Sequence, residues 1–219
     1  MNELWQKIGQ ELNMNEEEFI SAIGTLHNLG YVLHYSFSSS LINNYVILDP
    51  QWMNDSIRSI VTINPEVTGF IEKGWLYHSD CQKIWPNYSQ STISFILGLL
   101  HYFGIAVPVK GGKSLIPCRL PSASISISKE YPFYGKIKRK FEFNNPLPND
   151  IFPFIIGSNQ LYEYLDILHC WNNAAIFGDD HEDRILLFTE GKNIFLIGRG
   201  GKELTEHITQ VIQQVLSSR

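Results

Sequence analysis

The densest group of side chains that could bind a metal ion is the run Asp179-Asp180-His181-Glu182-Asp183. Carboxylates are the donors that hard cations such as Ca²⁺ prefer. Loops that bind such cations space their ligands alternately and contain a glycine turn, whereas these five ligands are contiguous. A run of polar residues between apolar segments is typical of a solvated loop. We therefore predict no metal site at this run.

A second candidate for chemistry is Gly111-Gly112-Lys113-Ser114, which resembles the end of a phosphate-binding loop. The full motif, G-x-x-x-x-G-K-[ST], requires a glycine where this chain has Val107. The residues on either side alternate as strands do, and a Gly-Gly pair favours a tight hairpin turn. The sequence therefore predicts a hairpin turn here and not a nucleotide site.

Two further segments could bind anions. The segment 198–201 (Gly-Arg-Gly-Gly) precedes the last predicted helix, where backbone N–H groups can hold an anion. It lacks the full strand–loop–helix fingerprint, which favours a simple loop. The basic residues of 136–140 (Lys-Ile-Lys-Arg-Lys) place three lysines on one face of a strand. An exposed strand that lysines keep soluble is favoured over a phosphate site or an acidic partner.

Residues for acid–base or nucleophilic catalysis form no recognisable pattern. The seven histidines include no H-E-x-x-H pair, and no G-x-S-x-G elbow is present. The ring of His27 is expected to bond a backbone carbonyl near a helix end or to pack below the following hairpin. Cys170, beside Trp171 in an apolar strand, is predicted to be a core thiol. We therefore predict no catalytic residue, no cofactor and no metal ligand.

The composition is that of a globular chain with a sizeable core. Its 219 residues are 44% hydrophobic and 18% charged, which suits one large or two small domains. A net charge of −5 and a pI near 5.8 oppose a general binder of nucleic acid or anionic membrane. The three cysteines are far apart, as in a reducing compartment. We predict a cytoplasmic protein without a membrane span, either a fragment or a stand-alone gene product.

Apolar spacing and capping residues predict helix, hairpin and helix in the first third of the chain. Asn15 offers an N-cap before three glutamates, and Gly30 ends that helix. Asp49 and Pro50 cap and open the next one. The predicted elements are a helix over 3–12, a helix over 16–29, strands over 31–35 and 45–48 around a polar turn at 36–44, and a helix over 50–61.

The remaining elements alternate between helices and hairpins, which predicts an α+β fold. Residues 121–134 contain Pro121 and Pro132 and form the best candidate boundary. The predicted elements are a short helix over 79–85, a helix over 91–103, a hairpin of 105–109 and 114–117, a strand over 136–143, a helix over 149–160, a strand at 168–171, a hairpin of 184–189 and 193–197, and a helix over 203–216.

Two stretches of the first third carry a family resemblance. Residues 26–35 read LHNLGYVLHY and residues 45–52 read YVILDPQW. Both resemble the hallmark of the COR domain, the module C-terminal to the Roc GTPase in Roco proteins. The residues that match the family motifs are Leu26, His27, Leu29, Gly30, Asp49, Pro50, Gln51, Trp52 and Pro117.

The resemblance implies a division into two parts and a regulatory role. Residues 1–121 would be COR-A, built on winged-helix-like units, 122–134 a linker, and 135–219 COR-B, an antiparallel sheet with helices. Such a chain would be no enzyme. It would contact a Roc GTPase, form a homodimer, and couple the nucleotide state of the GTPase to dimerisation and kinase output. The interface candidates in COR-B are Phe141, Phe143, Phe152, Phe154 and Phe195.

The alternative reading is a winged-helix protein that binds nucleic acid. A recognition helix should carry Arg, Lys, Asn or Gln. The helix predicted over 16–29 has three glutamates and no Lys or Arg. The resemblance to COR domains is therefore the preferred reading, and it predicts no nucleic-acid partner.

Overall fold

The chain folds into helices and antiparallel sheets that form two compact units. The structure, a computed structural model, describes residues 2–35, 40–43, 45–62, 69–122, 137–148, 151–158, 166–178, 184–199 and 202–217. Unit 1 comprises Met1–Phe70 and Asp80–Ile105, and unit 2 comprises Ile71–Ser79 and Ala106–Arg219. The predicted α+β class is confirmed.

The elements follow the predicted order, with three additional strands, β1, β2 and β7, that the sequence analysis did not predict. The helices are α1 Asn2–Leu4, continued by a π-helix at Trp5–Gly9, α2 Glu16–Asn28, α3 Ser40–Asn43, α4 Pro50–Val61, α5 Cys81–Ile84, α6 Gln90–Tyr102, α7 Ile151–Ile156 and α8 Lys202–Ser217. The strands are β1 Ile71–Glu72, β2 Trp75–Tyr77, β3 Val107–Val109, β4 Lys113–Leu115, β5 Ile137–Glu142, β6 Asp166–Cys170, β7 Ala174–Gly178, β8 Arg184–Glu190 and β9 Asn193–Arg199. Single 3₁₀ turns lie at His78–Asp80 and Pro117–Arg119.

Capping chemistry sets the ends of α2 as predicted. The side chain of Asn15 accepts a hydrogen bond from the backbone N–H of Glu18, and the Glu18 carboxylate accepts one from the N–H of Asn15. This reciprocal pair is a capping box. Gly30 follows the helix with a φ of 78°, a conformation that glycine adopts at little cost.

Three local features of unit 1 differ from the prediction. The first helix is a short helical turn followed by the π-helix, and both Ile8 and Leu12, predicted on its apolar face, are exposed. Residues 40–43, predicted as part of a polar turn, form α3. Among the described residues, the first hairpin consists of a single bridge between Leu33 and Ile47.

Two small clusters in the core of unit 1 lie beside the first hairpin. One is centred on Phe19, Ile23 and Val32 below the start of the chain. The other is centred on Phe95 and Leu99 of α6 and collects residues from α3, α4 and the segment before α4. The bridge between Leu33 and Ile47 lies between the two clusters: Val32 and Val46 contribute to one, and Leu33 and Ile47 contribute to the other.

Unit 2 contains a four-stranded and a five-stranded antiparallel sheet. Their strand orders are β1-β2-β4-β3 and β5-β9-β8-β7-β6. One face of the larger sheet packs with α7 and α8 in a cluster that also includes Val107, Leu115 and Leu120. Residues on both sides of the proposed linker at 122–134 therefore share a core, while 123–136 lie outside the described residues. The boundary at 122–134 stays a prediction.

Candidate functional site

The Gly-Gly-Lys-Ser segment is a hairpin turn, as predicted. Gly111 and Gly112 have φ values of 88° and 67°, and the turn joins β3 to β4. Lys113 lies in β4, with its Nζ 4.4 Å from the centre of the Trp75 ring. A phosphate-binding loop would lead into a helix, whereas this one leads into a strand. The segment therefore has no geometry for cradling phosphate.

A serine–histidine pair lies beside this turn. The Oγ of Ser114 is 2.9 Å from Nε2 of His78, and burial lowers the pKa of His78. Such a contact resembles a nucleophile with its base. Ser114 has 0% of its surface exposed, so a substrate cannot reach its hydroxyl in this fold. The pair links the end of β2 to the neighbouring strand β4.

The other segments that could bind ions give no site. The run 179–183 and the glycines at 200 and 201 lie outside the described residues. Within the residues that the structure describes, no group of three or more His, Cys, Asp or Glu could hold a metal ion. Lys140 of the basic segment forms an exposed ion pair of 3.0 Å with Glu142, whose carboxylate also pairs with Lys192 at 3.2 Å. The hydrogen bonds from both lysines lower the pKa of Glu142.

Burial makes two of the three thiols unreactive. It raises the pKa of Cys170 to about 12, and Cys170 lies in the core as predicted. Burial, with a smaller contribution from the charge of Asp80, raises the pKa of Cys81 to about 11. Cys118 is exposed on the 3₁₀ turn Pro117–Arg119. Because the thiolate is the nucleophile, neither buried cysteine can serve as one near neutral pH.

We expect one fast-reacting thiol in the folded chain. Burial also raises the pKa of Cys118, but its exposed side chain stays accessible to reagent. At pH 8 a thiol with a pKa of about 11 is ~0.1% thiolate, so Cys81 and Cys170 should react with Ellman's reagent at least ~10-fold more slowly than Cys118. Raising the pH towards 11 should increase the reaction of Cys81 first, because its pKa is the lower of the two. Three equivalents should react quickly in denaturant. Two or more fast equivalents without denaturant would contradict the buried positions.

The first family-motif stretch ends α2 and starts the hairpin. The ring of His27 packs edge-on against Tyr35 at 5.6 Å between centroids. Its Nδ1 accepts a hydrogen bond of 3.4 Å from the backbone N–H of His34, so the ring bonds an amide where a carbonyl was predicted. Leu26 and Leu29 of the same stretch are 37% and 64% exposed. They therefore contribute little to the core and offer an apolar surface.

The second family-motif stretch starts α4. The Asp49 carboxylate accepts hydrogen bonds from the backbone N–H groups of Gln51, at 2.9 Å, and Trp52, at 3.3 Å. Pro50 occupies the first helical turn, where its missing N–H leaves no bond unmade. The Trp52 ring packs on the Phe95–Leu99 cluster and lies 5.7 Å from the ring of Tyr88. This stretch therefore fixes the direction in which α4 leaves the hairpin, while Pro117 opens the distant 3₁₀ turn.

Removing the cap of α4 should destabilise unit 1. We expect Asp49→Ala to lower the free energy of unfolding by about 1–2 kcal/mol, because two N–H groups lose their acceptor. Asp49→Asn should retain most of that stability, since an amide oxygen also caps. The matched control is Asp55→Ala, because Asp55 is exposed and accepts a hydrogen bond from the Gln51 side chain. Equal losses for positions 49 and 55 in urea unfolding would contradict the capping role.

Exposed apolar side chains surround the two motif stretches. Tyr31 is 68% exposed and Leu48 is 60% exposed. Single exposed apolar residues are ordinary, but a group of them on one element often marks an interaction site. We call the group formed by Leu26, Leu29 and Tyr31 at the end of α2 the motif surface.

Two clefts in unit 1 share the segment 45–48. The edge cleft has a volume of about 490 Å³ and is lined by Asn2, Glu3, Leu4, Lys7, Tyr45, Val46 and Leu48. The ring cleft has a volume of about 270 Å³ and is lined by Tyr45, Val46, Ile47, Leu48, Asp49, Trp52, Ser91, Thr92 and Phe95. Sequence reasoning missed both, because they depend on contacts between distant segments.

The five phenylalanines proposed for an interface lie in different environments. Phe152 is 1% exposed within the core of unit 2, whereas Phe154, two residues later on α7, is 48% exposed. Phe141 and Phe143 are half-buried against that core. Phe195 lies on the other face of the sheet, where its ring stacks on Phe188 at 4.7 Å.

The outer face of the larger sheet is also apolar. Ala174, Ile176 and Leu186 are buried there, and partly buried rings and an aliphatic side chain pack around them: Trp171, Phe188 and Ile197. Most antiparallel sheets present one polar face to water, whereas both faces of this sheet are apolar. No helix in the described part of the chain is long and apolar enough to cross a membrane.

Comparisons with known proteins identify the family. The model of the family described as "C-terminal of Roc, COR-A domain" matches residues 1–120. The chain is 40% identical over 114 residues to "Probable serine/threonine-protein kinase qkgA" of Dictyostelium discoideum, an alignment over 51% of this chain and 7% of that protein. It is 29% identical over 184 residues to "Probable serine/threonine-protein kinase roco11" of the same organism, over 75% of this chain and 12% of that protein.

A solved structure gives a weaker likeness. The structure of Methanosarcina barkeri Roco2 RocCORdC bound to GDP is 18% identical with a TM-score of 0.41, over 48% of this chain and 33% of that one.

The chain belongs to the COR domain family of Roco proteins, because the family match covers more than half of its length. It spans only 7% and 12% of the two relatives above.

Proposed function

We propose that this chain is a regulatory and dimerising module of a Roco-type protein, without catalytic activity of its own. The observation that carries the proposal is the COR-A match over residues 1–120. In this proposal residues 1–121 form a winged-helix-like COR-A, 122–134 the linker and 135–219 COR-B. The module works in the cytoplasm and couples the nucleotide state of an adjacent Roc GTPase to dimerisation and kinase output.

COR-A contacts the GTPase through the motif surface in this proposal. Three exposed apolar side chains at the end of one helix support it, because interfaces are built around apolar anchors. Leu29 is the most exposed of the leucines in the motif. The contact places the GTPase beside the first hairpin, which contributes to both clusters of unit 1. Nucleotide-dependent shifts in the GTPase would then act on that hairpin.

The GTPase contact can be tested with one pair of variants. Leu29→Asp should weaken binding of a Roc GTPase domain at least ~10-fold, which corresponds to about 1.4 kcal/mol. Ile20→Asp is the matched control, because Ile20 lies on the same helix and is 47% exposed. Hydrogen exchange should show protection in residues 26–35 when the GTPase is added. Protection confined to residues beyond 121, or equal binding by both variants, would contradict this contact.

COR-B forms a two-fold dimer in this proposal. A two-fold interface pairs one surface with itself, so a single exposed apolar residue occurs there twice. Phe154 is the most exposed of the five phenylalanines, and Phe195, which stacks on Phe188, adds a second ring on the outer face of the sheet. Phe152 is in the core and supports the interface only by positioning α7.

The dimer contact can be tested by sedimentation equilibrium. Phe154→Asp should raise the dimer dissociation constant at least ~10-fold, because two charges would be buried per dimer. Leu12→Asp is the control, because Leu12 is 62% exposed in COR-A, outside the proposed interface. An unchanged constant for the Phe154 variant would rule out this residue and this face of α7.

The nucleic-acid alternative gains no support from the structure. The first turn of α2 has three exposed glutamates, and α2 contains no lysine or arginine. Filter binding at low salt tests this alternative directly.

A further inference from the structure

Unit 1 has an unpaired strand edge inside the edge cleft. Leu33 and Ile47 exchange both backbone hydrogen bonds, at 2.9 and 2.8 Å. In an antiparallel pair the neighbouring residues point their N–H and C=O groups the opposite way. The backbone N–H and C=O groups of Val46 and Leu48 therefore face away from Leu33. Within the described part of the chain they form no backbone hydrogen bond.

The cleft beside this edge is open and nearly free of charge. Its other wall is the start of the chain, where Glu3 and Lys7 contribute one charge of each sign. Leu48 and Tyr45 expose 60% and 44% of their surfaces along the edge. A volume of about 490 Å³ is enough for several residues of an extended chain. An uncharged polypeptide segment fits this cleft best. Its backbone can pair with the unpaired backbone groups, and its side chains can pack on the apolar ones without adding charge.

The ring cleft adds side-chain recognition on the same segment. It extends from residues 45–48 to the rings of Trp52 and Phe95. Side chains of an added strand alternate between its two faces, so every second one could contact those rings. Aliphatic residues suit such contacts because they bury apolar surface at low entropic cost.

We infer that residues 45–48 bind an extended, uncharged segment of a partner protein as an added β-strand, with aliphatic side chains at alternate positions. Backbone hydrogen bonds supply the affinity in this mode, and alternate side chains supply the selectivity. The bound strand would extend the single bridge between Leu33 and Ile47 into a three-stranded sheet. The inference does not depend on which protein supplies the strand.

A defined peptide tests the inference on the full chain. The probe is an acetylated and amidated peptide of alternating valine and threonine with a lysine at each end for solubility. At saturation, hydrogen exchange at the amides of Val46 and Leu48 should slow at least ~10-fold. The matched probe carries N-methyl groups on the residues that face the edge, and it should bind at least ~10-fold more weakly because its donors are lost.

Two variants separate backbone pairing from side-chain contact. Leu48→Pro removes the N–H that faces the cleft and leaves the bridge at Ile47 intact. It should therefore weaken peptide binding at least ~10-fold. Leu48→Ala keeps that N–H and should weaken peptide binding less than the proline variant does. Thermal unfolding of both variants checks that they fold. If the proline variant does not fold, the comparison of the two peptides on the wild-type chain still tests the backbone pairing. The inference is overturned if millimolar peptide leaves both amides unprotected, or if the N-methyl probe binds equally well. Either failure would leave the GTPase contact at the motif surface untouched.

Discussion

Gly198→Ala should lower the free energy of unfolding by about 3–5 kcal/mol. Gly198 lies in β9 with a φ of 151°, a region that side chains other than glycine rarely occupy. A Cβ at this position would overlap the backbone carbonyl oxygen of Arg184 on the neighbouring strand. Neither backbone can move without breaking the ladder between β8 and β9, so strain and overlap add. Urea unfolding measures the loss.

The control lies at the tip of the same hairpin. Gly191 also has a positive φ, 58°, but a Cβ there would meet no atom within 4 Å. Gly191→Ala should therefore cost only about 1–2 kcal/mol, the ordinary penalty for a left-handed alanine. The difference between the two variants isolates the overlap with Arg184. Equal losses would mean that β9 does not approach β8 as the structure shows.

Phe152→Ala should cost about 3–5 kcal/mol, because it leaves a large cavity in the core of unit 2. Phe152 is 1% exposed and belongs to the cluster formed by α7, α8 and the inner face of the sheet. Such a loss is a large part of the stability of a typical domain. Thermal and urea unfolding measure it.

Phe154→Ala is the matched control on the same helix. Its ring is 48% exposed, so truncation should cost less than about 1 kcal/mol. A larger loss at position 154 than at 152 would mean that α7 is rotated relative to the described packing. The pair also separates a stability effect from the association effect proposed for Phe154.

Local capping chemistry explains why much of the fold could be predicted. Asn15, Gly30 and Asp49 act through bonds to residues within three positions, so their roles are visible in the sequence. The turn at Gly111 and Gly112 is equally local. The order of the predicted elements in unit 2 is confirmed, but strands β1, β2 and β7 were not predicted.

The features that the sequence did not predict depend on contacts between distant residues. The π-helix ends at Gly9, where the Trp5 ring packs so closely that a Cβ on Gly9 would approach it to 2.5 Å. Hydrophobic spacing alone predicts an ordinary helix there. Likewise, α7 is apolar on all sides, so its pattern could not show that Phe152 faces the core and Phe154 faces outward.

The clefts beside residues 45–48 could not be predicted at all. They exist because the start of the chain and α6 approach the same short segment from different parts of the sequence. No sequence motif indicates such a contact between distant segments. The sequence showed only that residues there match the family motif, and the structure shows the clefts that they line.

The most direct test of the dimerising role is the solution mass of the chain over a wide concentration range, measured by light scattering coupled to size exclusion. The monomer mass is 25.2 kDa, so we expect a concentration-dependent rise towards about 50 kDa and a return to the monomer on dilution. Adding a Roc GTPase should shift that balance in a nucleotide-dependent way. A constant mass of 25.2 kDa up to millimolar concentration, unchanged by the GTPase in either nucleotide state, would contradict the proposed function.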